Sequence, residues 1–170
     1  MKTMVLKKIL FSVLSMLFIW SCDDGDLQID SIDFDNVTVQ SCPDSTTLFF
    51  KINADQALIL ELPDGLVKNQ ATVPEGVIRG IPNVVQLSYR IFSENVTQDY
   101  FCEDIPPVTP IVETEIQATG GTLRLVTIAV TENDVTTYEH TLTIEDLILV
   151  NDNGESIIAT NFEFGTVTTN

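Results

Sequence analysis

The chain has one histidine, and this residue type is common in catalytic and metal-binding sites. His140 could act as the base of a catalytic triad or as a metal ligand, because imidazole does both near neutral pH. No cysteine, histidine or acidic ligand motif lies near it, and the alternating pattern places it on an apolar strand face beside Tyr138 and Leu142. The pattern therefore favours a hydrogen-bonded core or edge histidine.

Carboxylates are the second group that could do chemistry. Asp30, Asp33 and Asp35, and likewise Glu113 and Glu115, have spacings that place some of them on one strand face. Two such groups could hydrolyse a glycoside if they faced each other about 5 to 10 Å apart. The chain has 25 acids, however, so such spacings arise by chance and a solvated strand face is favoured.

Motifs typical of enzymes are missing from the sequence. It contains no GxSxG, no HExxH, no P-loop and no GxGxxG between a strand and a helix. We therefore predict a non-enzymatic protein, with a carboxylate-dependent glycan hydrolase as the alternative.

One short acidic segment resembles part of a calcium loop. Residues 151–155, NDNGE, lack the ligand pattern of an EF-hand, and a hairpin turn explains them more simply. We predict no cofactor and no defined metal site. Weak Ca²⁺ binding by clustered acids outside the cell stays open, and with it a calcium-dependent adhesion module.

The amino-terminal residues have the layout of a secretory signal peptide, assigned to residues 1–21. Residues 1–8 carry three lysines and no acid, and residues 9–20 form an uncharged, largely apolar run. This run is shorter than the roughly 20 residues that a membrane-spanning helix needs. Its end, Ile19-Trp20-Ser21, lacks the small-x-small pattern of an ordinary cleavage site.

The next residue is a cysteine, and Ile19-Trp20-Ser21-Cys22 resembles a bacterial lipobox. The resemblance implies that Cys22 is linked to diacylglycerol by a thioether and becomes the first residue of the mature protein. Asp23, Asp24 and Asp26 then resemble the acidic export tag of Bacteroidetes-type surface lipoproteins. That likeness implies a lipid-anchored protein of the outer membrane that faces the cell surface. The alternative for residues 22–30 is a solvated acidic tether.

The number of cysteines agrees with lipidation. The chain has three, and an odd number in an exported protein implies a special role for one. With Cys22 modified, Cys42 and Cys102 remain as a pair that would oxidise outside the cytoplasm. Closing a loop of about 60 residues is worth roughly 4 kcal/mol. The alternative is two buried free thiols.

The net charge restricts the partners. It is −17, and loss of the three lysines in the signal peptide makes the mature chain more acidic still. Such a field repels nucleic acid and anionic lipid, so attachment to the membrane would depend on the lipid anchor. Glycan, peptide or another outer-membrane protein remain as partners.

Beyond residue 30 the hydrophobic pattern has the period of two that is typical of strands. Residues 138–145 show it most clearly, and residues 122–130, apolar on both faces, predict a central strand. Residues 132–134 and the pair Asn153-Gly154 predict hairpins. Residues 53–60 could supply one helical turn at most. Residues 31–170 are therefore predicted to form an all-β domain, an antiparallel β-sandwich of immunoglobulin-like architecture, with a small β-barrel as the alternative.

Two serines lie in triplets that resemble O-glycan acceptors of Bacteroidetes-type exported proteins. They are Ser31 in Asp30-Ser31-Ile32 and Ser45 in Asp44-Ser45-Thr46. The resemblance implies that both serines carry glycans.

Overall fold

Eight antiparallel strands and one short helix make up residues 32–170, which are the residues that this computed structural model describes. Cys22, the acidic tag and Ser31 lie outside the described residues. The predicted all-β antiparallel fold class is confirmed. The elements are β1 (Gln40–Ser41), β2 (Leu48–Asn53), β3 (Gln56–Glu61), β4 (Val77–Gly80), β5 (Gln86–Phe92), α1 (Asp99–Cys102), β6 (Val112–Glu132), β7 (Val135–Val150) and β8 (Ser156–Thr169).

The strands form a curled sheet with the shape of half a barrel. Their order is β1-β2-β3-β5-β6-β7-β8, and β4 pairs with β6 beside this path. The first part of β6 pairs with β5, whereas its later part pairs with both β4 and β7. The apolar segment 122–130 thus lies in a central strand, as predicted.

A glycine pair marks the place where β6 leaves β5 and continues between β4 and β7. The register of β6 against β7 shifts on both sides of Gly120. Gly121 has a φ of +136°, and a Cβ there would lie 3.2 Å from the Cα of Leu147. The two glycines therefore allow a bulge that redirects β6.

Both predicted hairpins are present, and a third joins β2 to β3. Asn133 and Asp134 form a two-residue turn with φ values of 49° and 64°, between the paired residues Glu132 and Val135. Residues 151–155 join β7 to β8. Residues 53–60, for which the sequence allowed one helical turn at most, contain no helix. That segment begins with a tight turn at Ala54, whose φ is 55°, and continues as β3 paired to β2.

The core lies on both faces of β2 and β3. On one face, Lys51 of β2 contacts Glu163 and Phe162 of β8, and Leu58, its partner on β3, is fully buried. On the other face, Phe50 is covered by α1, where it stacks on Phe101 with ring centroids 4.5 Å apart. These strands are therefore buried on both sides, which explains why residues 57–60 are all apolar.

A disulfide fastens α1 over this second face. Cys42 and Cys102 are bonded with their Cα atoms 5.3 Å apart, so the predicted pairing is confirmed. Cys42 follows β1 directly and Cys102 is the last residue of α1. The bond therefore holds the helix against the edge of the sheet, where both half-cystines pack on the cluster around Phe50.

Candidate functional site

A cleft of about 280 Å³ lies between the loop of residues 65–73 and the strands β4 and β6. We call it the cationic cleft because Lys68 and Arg79 both line it. Lys68 is exposed on the loop, and Arg79 is exposed on β4. The remaining lining residues are polar or apolar without charge: Gly65, Leu66, Gln70, Ala71, Thr72, Val73, Gly76, Val77 and Thr127.

The loop wall of this cleft is fixed to β6. The backbone N–H of Thr72 donates to the carbonyl oxygen of Thr127 at 3.0 Å, and the N–H of Thr127 donates to the hydroxyl of Thr72 at 3.0 Å. Where the loop turns into β4, Gly76 packs so closely on β6 that a Cβ would lie 2.6 Å from the carbonyl oxygen of Leu125. The cleft is therefore preformed by backbone contacts, which lowers the entropy lost on binding.

His140 lies directly behind the cleft and is fully buried. Its Nδ1 is 2.8 Å from the hydroxyl of Thr127, and its Nε2 is 2.9 Å from the hydroxyl of Thr169. A neutral ring satisfies both contacts, since one nitrogen donates and the other accepts. Burial lowers the pKa of His140 below its ordinary value because it disfavours the charged form.

This burial predicts a loss of stability in mild acid. Below about pH 6.5 the unfolded chain binds a proton at His140 while the folded chain does not, so the free energy of unfolding falls until the pH passes the lowered folded pKa. Above about pH 6.5 His140 is neutral in both the folded and the unfolded chain, so it no longer changes the free energy of unfolding. Urea unfolding at pH 8 and pH 5 should therefore show that the advantage of the wild type over His140→Gln shrinks in acid. Because the carboxylates titrate alike in both proteins, a constant difference between them would contradict the prediction.

A second cleft, of about 420 Å³, contains a buried lysine between two acids. Lys51 is 2% exposed, with its Nζ 3.4 Å from the carbonyl oxygen of Glu163 and 5.1 Å from the ring centre of Phe162. Desolvation lowers the pKa of Lys51, and the charges of Asp35 and Glu163 oppose this shift. The alternation in residues 50–52 places Lys51 on a polar face; it is buried because both faces of β2 are covered.

The acids singled out in the sequence do not share one surrounding. Asp35 lines the lysine cleft, whereas Glu113 and Glu115 are exposed on β6. Glu115 forms an ion pair with Arg90, with Nε and Oε2 3.0 Å apart. Asp33 has its carbonyl oxygen bound by the side-chain amide of Asn53, and Asp30 lies outside the described residues. The glycan-hydrolase alternative stays a prediction.

The loop that resembles part of a calcium site is closed by its own hydrogen bonds. The Oδ1 of Asn151 accepts from the backbone N–H groups of Asn153 and Glu155, and its Nδ2 donates to the Glu155 carboxylate at 2.9 Å. Among the described residues, no group of three or more His, Cys, Asp or Glu side chains could hold a metal ion. Weak Ca²⁺ binding stays a prediction.

Ser45 is half-buried beside the disulfide. Its hydroxyl oxygen accepts the backbone N–H of Leu48 at 3.2 Å and lines a third cleft together with Cys42. Glycosylation of Ser45 stays a prediction, as does that of Ser31.

Lys68 and Arg79 are the site residues that sequence reasoning missed. The sequence marks them only by their residue type, since eight of the 170 residues are basic. Within residues 32–170, no helix is long and apolar enough to cross a membrane. Comparisons with protein-family models, curated proteins and solved structures gave no match to the chain.

Proposed function

We propose that this chain is a lipid-anchored protein of the cell envelope, exposed at the cell surface, whose β domain is a non-enzymatic binding or structural accessory module. The lipobox-like residues Ile19–Cys22 and the acids after them support the anchor and its orientation. The observation that carries the binding role is the cationic cleft, which is preformed and open and has both of its charged groups exposed.

The arrangement around Thr127 does not support a catalytic triad. Thr127 and His140 are spaced like a nucleophile and its base. The Thr127 side chain is almost fully buried, however, and the third group in the chain of contacts is the hydroxyl of Thr169. A triad requires an accessible nucleophile and a carboxylate that stabilises the imidazolium. This chain of hydrogen bonds therefore supports a structural role for His140.

The anchor is tested by replacing Cys22. Cys22→Ser removes the sulfur that would carry the diacylglycerol, so the protein should be lost almost entirely from the outer-membrane fraction. Cell fractionation with immunoblotting measures this, and mass spectrometry of the native amino-terminal peptide measures the lipid directly. The matched control is Cys42→Ser/Cys102→Ser, which removes two sulfurs and keeps the anchor. If Cys22→Ser still sediments with outer membranes, the proposed anchor is wrong.

A further inference from the structure

The basic residues of the described domain are distributed unevenly. Five lie within residues 32–170, and two of these form ion pairs with acids on neighbouring strands. The Nε of Arg90 is 3.0 Å from the Oε2 of Glu115, and the Nε of Arg124 is 2.8 Å from the Oε1 of Glu145. Lys51 is buried next to two acids. The remaining two, Lys68 and Arg79, line the cationic cleft.

Acids are missing from the lining of this cleft, although the whole chain has 25 of them. Asp64 and Glu75 flank lining residues in the sequence, but neither lines the cleft. A net charge of −17 repels anions from most of the surface, so an anion could be held only where local positive charge exceeds the background. The cationic cleft is lined by two basic residues, Lys68 and Arg79, and by no acid.

The two cations differ in a way that suits an oxyanion. The Nη1 of Arg79 donates to the carbonyl oxygen of Ile78 at 2.7 Å, and the other N–H groups of its planar guanidinium can bind a carboxylate or sulfate. Lys68 supplies a compact charge with rotatable donors. The backbone N–H of Thr72 is already bonded to Thr127, but the side-chain amide of Gln70 can add a donor. The volume of about 280 Å³ admits a small group rather than a long chain.

We infer that the cationic cleft binds a compact oxyanion, a carboxylate or a sulfate group carried by a ligand outside the cell. Arg79 binds the anion from β4 and Lys68 binds it from the loop. The hydrogen bonds between Thr72 and Thr127 hold the two walls of the cleft at a fixed separation. The inference gives the proposed binding module a ligand class and rests on that proposed function, but it does not depend on the lipid anchor.

Calorimetric titration of the native protein in non-ionic detergent tests this inference, with sodium sulfate and sodium glucuronate as probes and sodium chloride at equal ionic strength as the reference. Binding of at least one probe is expected, weakened at least tenfold by Lys68→Gln and by Arg79→Gln, since each removes a charge-assisted contact. Both residues are exposed, so the fold should persist, and circular dichroism checks this. A response to sulfate alone or to glucuronate alone identifies which oxyanion is preferred, and either result supports the site.

The matched control is Arg90→Gln, which removes the same charge from an ion pair outside the cleft. It should leave the affinity within about twofold, because Arg90 does not line the cleft. The fold should persist, because surface ion pairs contribute little to stability. Equal heats with chloride, or equal weakening by Arg90→Gln, would show only general screening of an acidic surface and would overturn the inference. Loss of anchoring in the Cys22→Ser experiment has no bearing on this titration, so the two proposals fail separately.

Discussion

Replacing Cys42 and Cys102 together with alanine is expected to lower the free energy of unfolding by about 4 kcal/mol. The disulfide closes a loop across a sequence separation of 60, and the larger conformational freedom of the unfolded chain without this bond accounts for that amount. It also holds α1 against Phe50, so its loss weakens the aromatic contacts there. Urea unfolding of the wild type and the variant, followed by circular dichroism, measures the difference.

Single replacements provide the control for this prediction. Cys42→Ala and Cys102→Ala should each cost nearly as much as the double variant, because either one abolishes the same bond. The wild type under reducing conditions should behave likewise. An unfolding midpoint that does not change on reduction would show that the bond contributes nothing to stability.

The second large effect is expected at Gly76. Gly76→Ala should destabilise the domain by about 3 kcal/mol, because alanine is disfavoured at a φ of +75° and its Cβ would overlap the backbone of Leu125. The atom in the way belongs to the central strand β6 and cannot move without disturbing the sheet. Thermal and urea unfolding measure the loss.

Gly65 offers a matched control for the backbone angle. It has a φ of +70° and nothing within 4 Å of the position that a Cβ would occupy. Gly65→Ala should therefore cost only about 1 kcal/mol, the part that comes from the left-handed conformation. Equal losses at Gly65 and Gly76 would mean that the close approach to β6 has no energetic weight. Because Gly76 lines the cationic cleft, its substitution should also weaken anion binding.

Local patterns predicted the strands well where a single face is buried. In β7, His140, Leu142 and Ile144 are buried and alternate with polar residues, as the period of two requires. Both hairpins followed from residues that tolerate positive φ, such as Asn133. The pairing of Cys42 with Cys102 followed from counting cysteines once Cys22 was assigned to lipid.

Patterns failed where burial depends on elements distant in the sequence. The alternation of apolar and polar residues places Lys51 on a polar face of β2. The sequence cannot show that α1 covers one face of this strand and that distant strands cover the other. The bulge in β6 was also missed, although the pair Gly120-Gly121 between two threonines is a local signal for one. Ala54 accepts a positive φ that its residue type does not favour, so the turn before β3 was missed.

The cationic cleft could not be predicted from the sequence for a related reason. Lys68 lies in a loop and Arg79 in a four-residue strand. The pairing of β4 with β6 and the hydrogen bonds between Thr72 and Thr127 bring both to one cleft. Counting charges along the sequence gives a strongly acidic average, and this average conceals a local excess of the opposite sign.

The length of β6 has a consequence for how the domain melts. This strand has 21 residues, and it pairs with β5 along its first part and with β4 and β7 along its later part. If β6 separated from one half of the sheet, the other half would lose a paired strand as well. Cooperative, all-or-none unfolding follows from such sharing, and a single transition is what allows one free-energy difference to describe each variant.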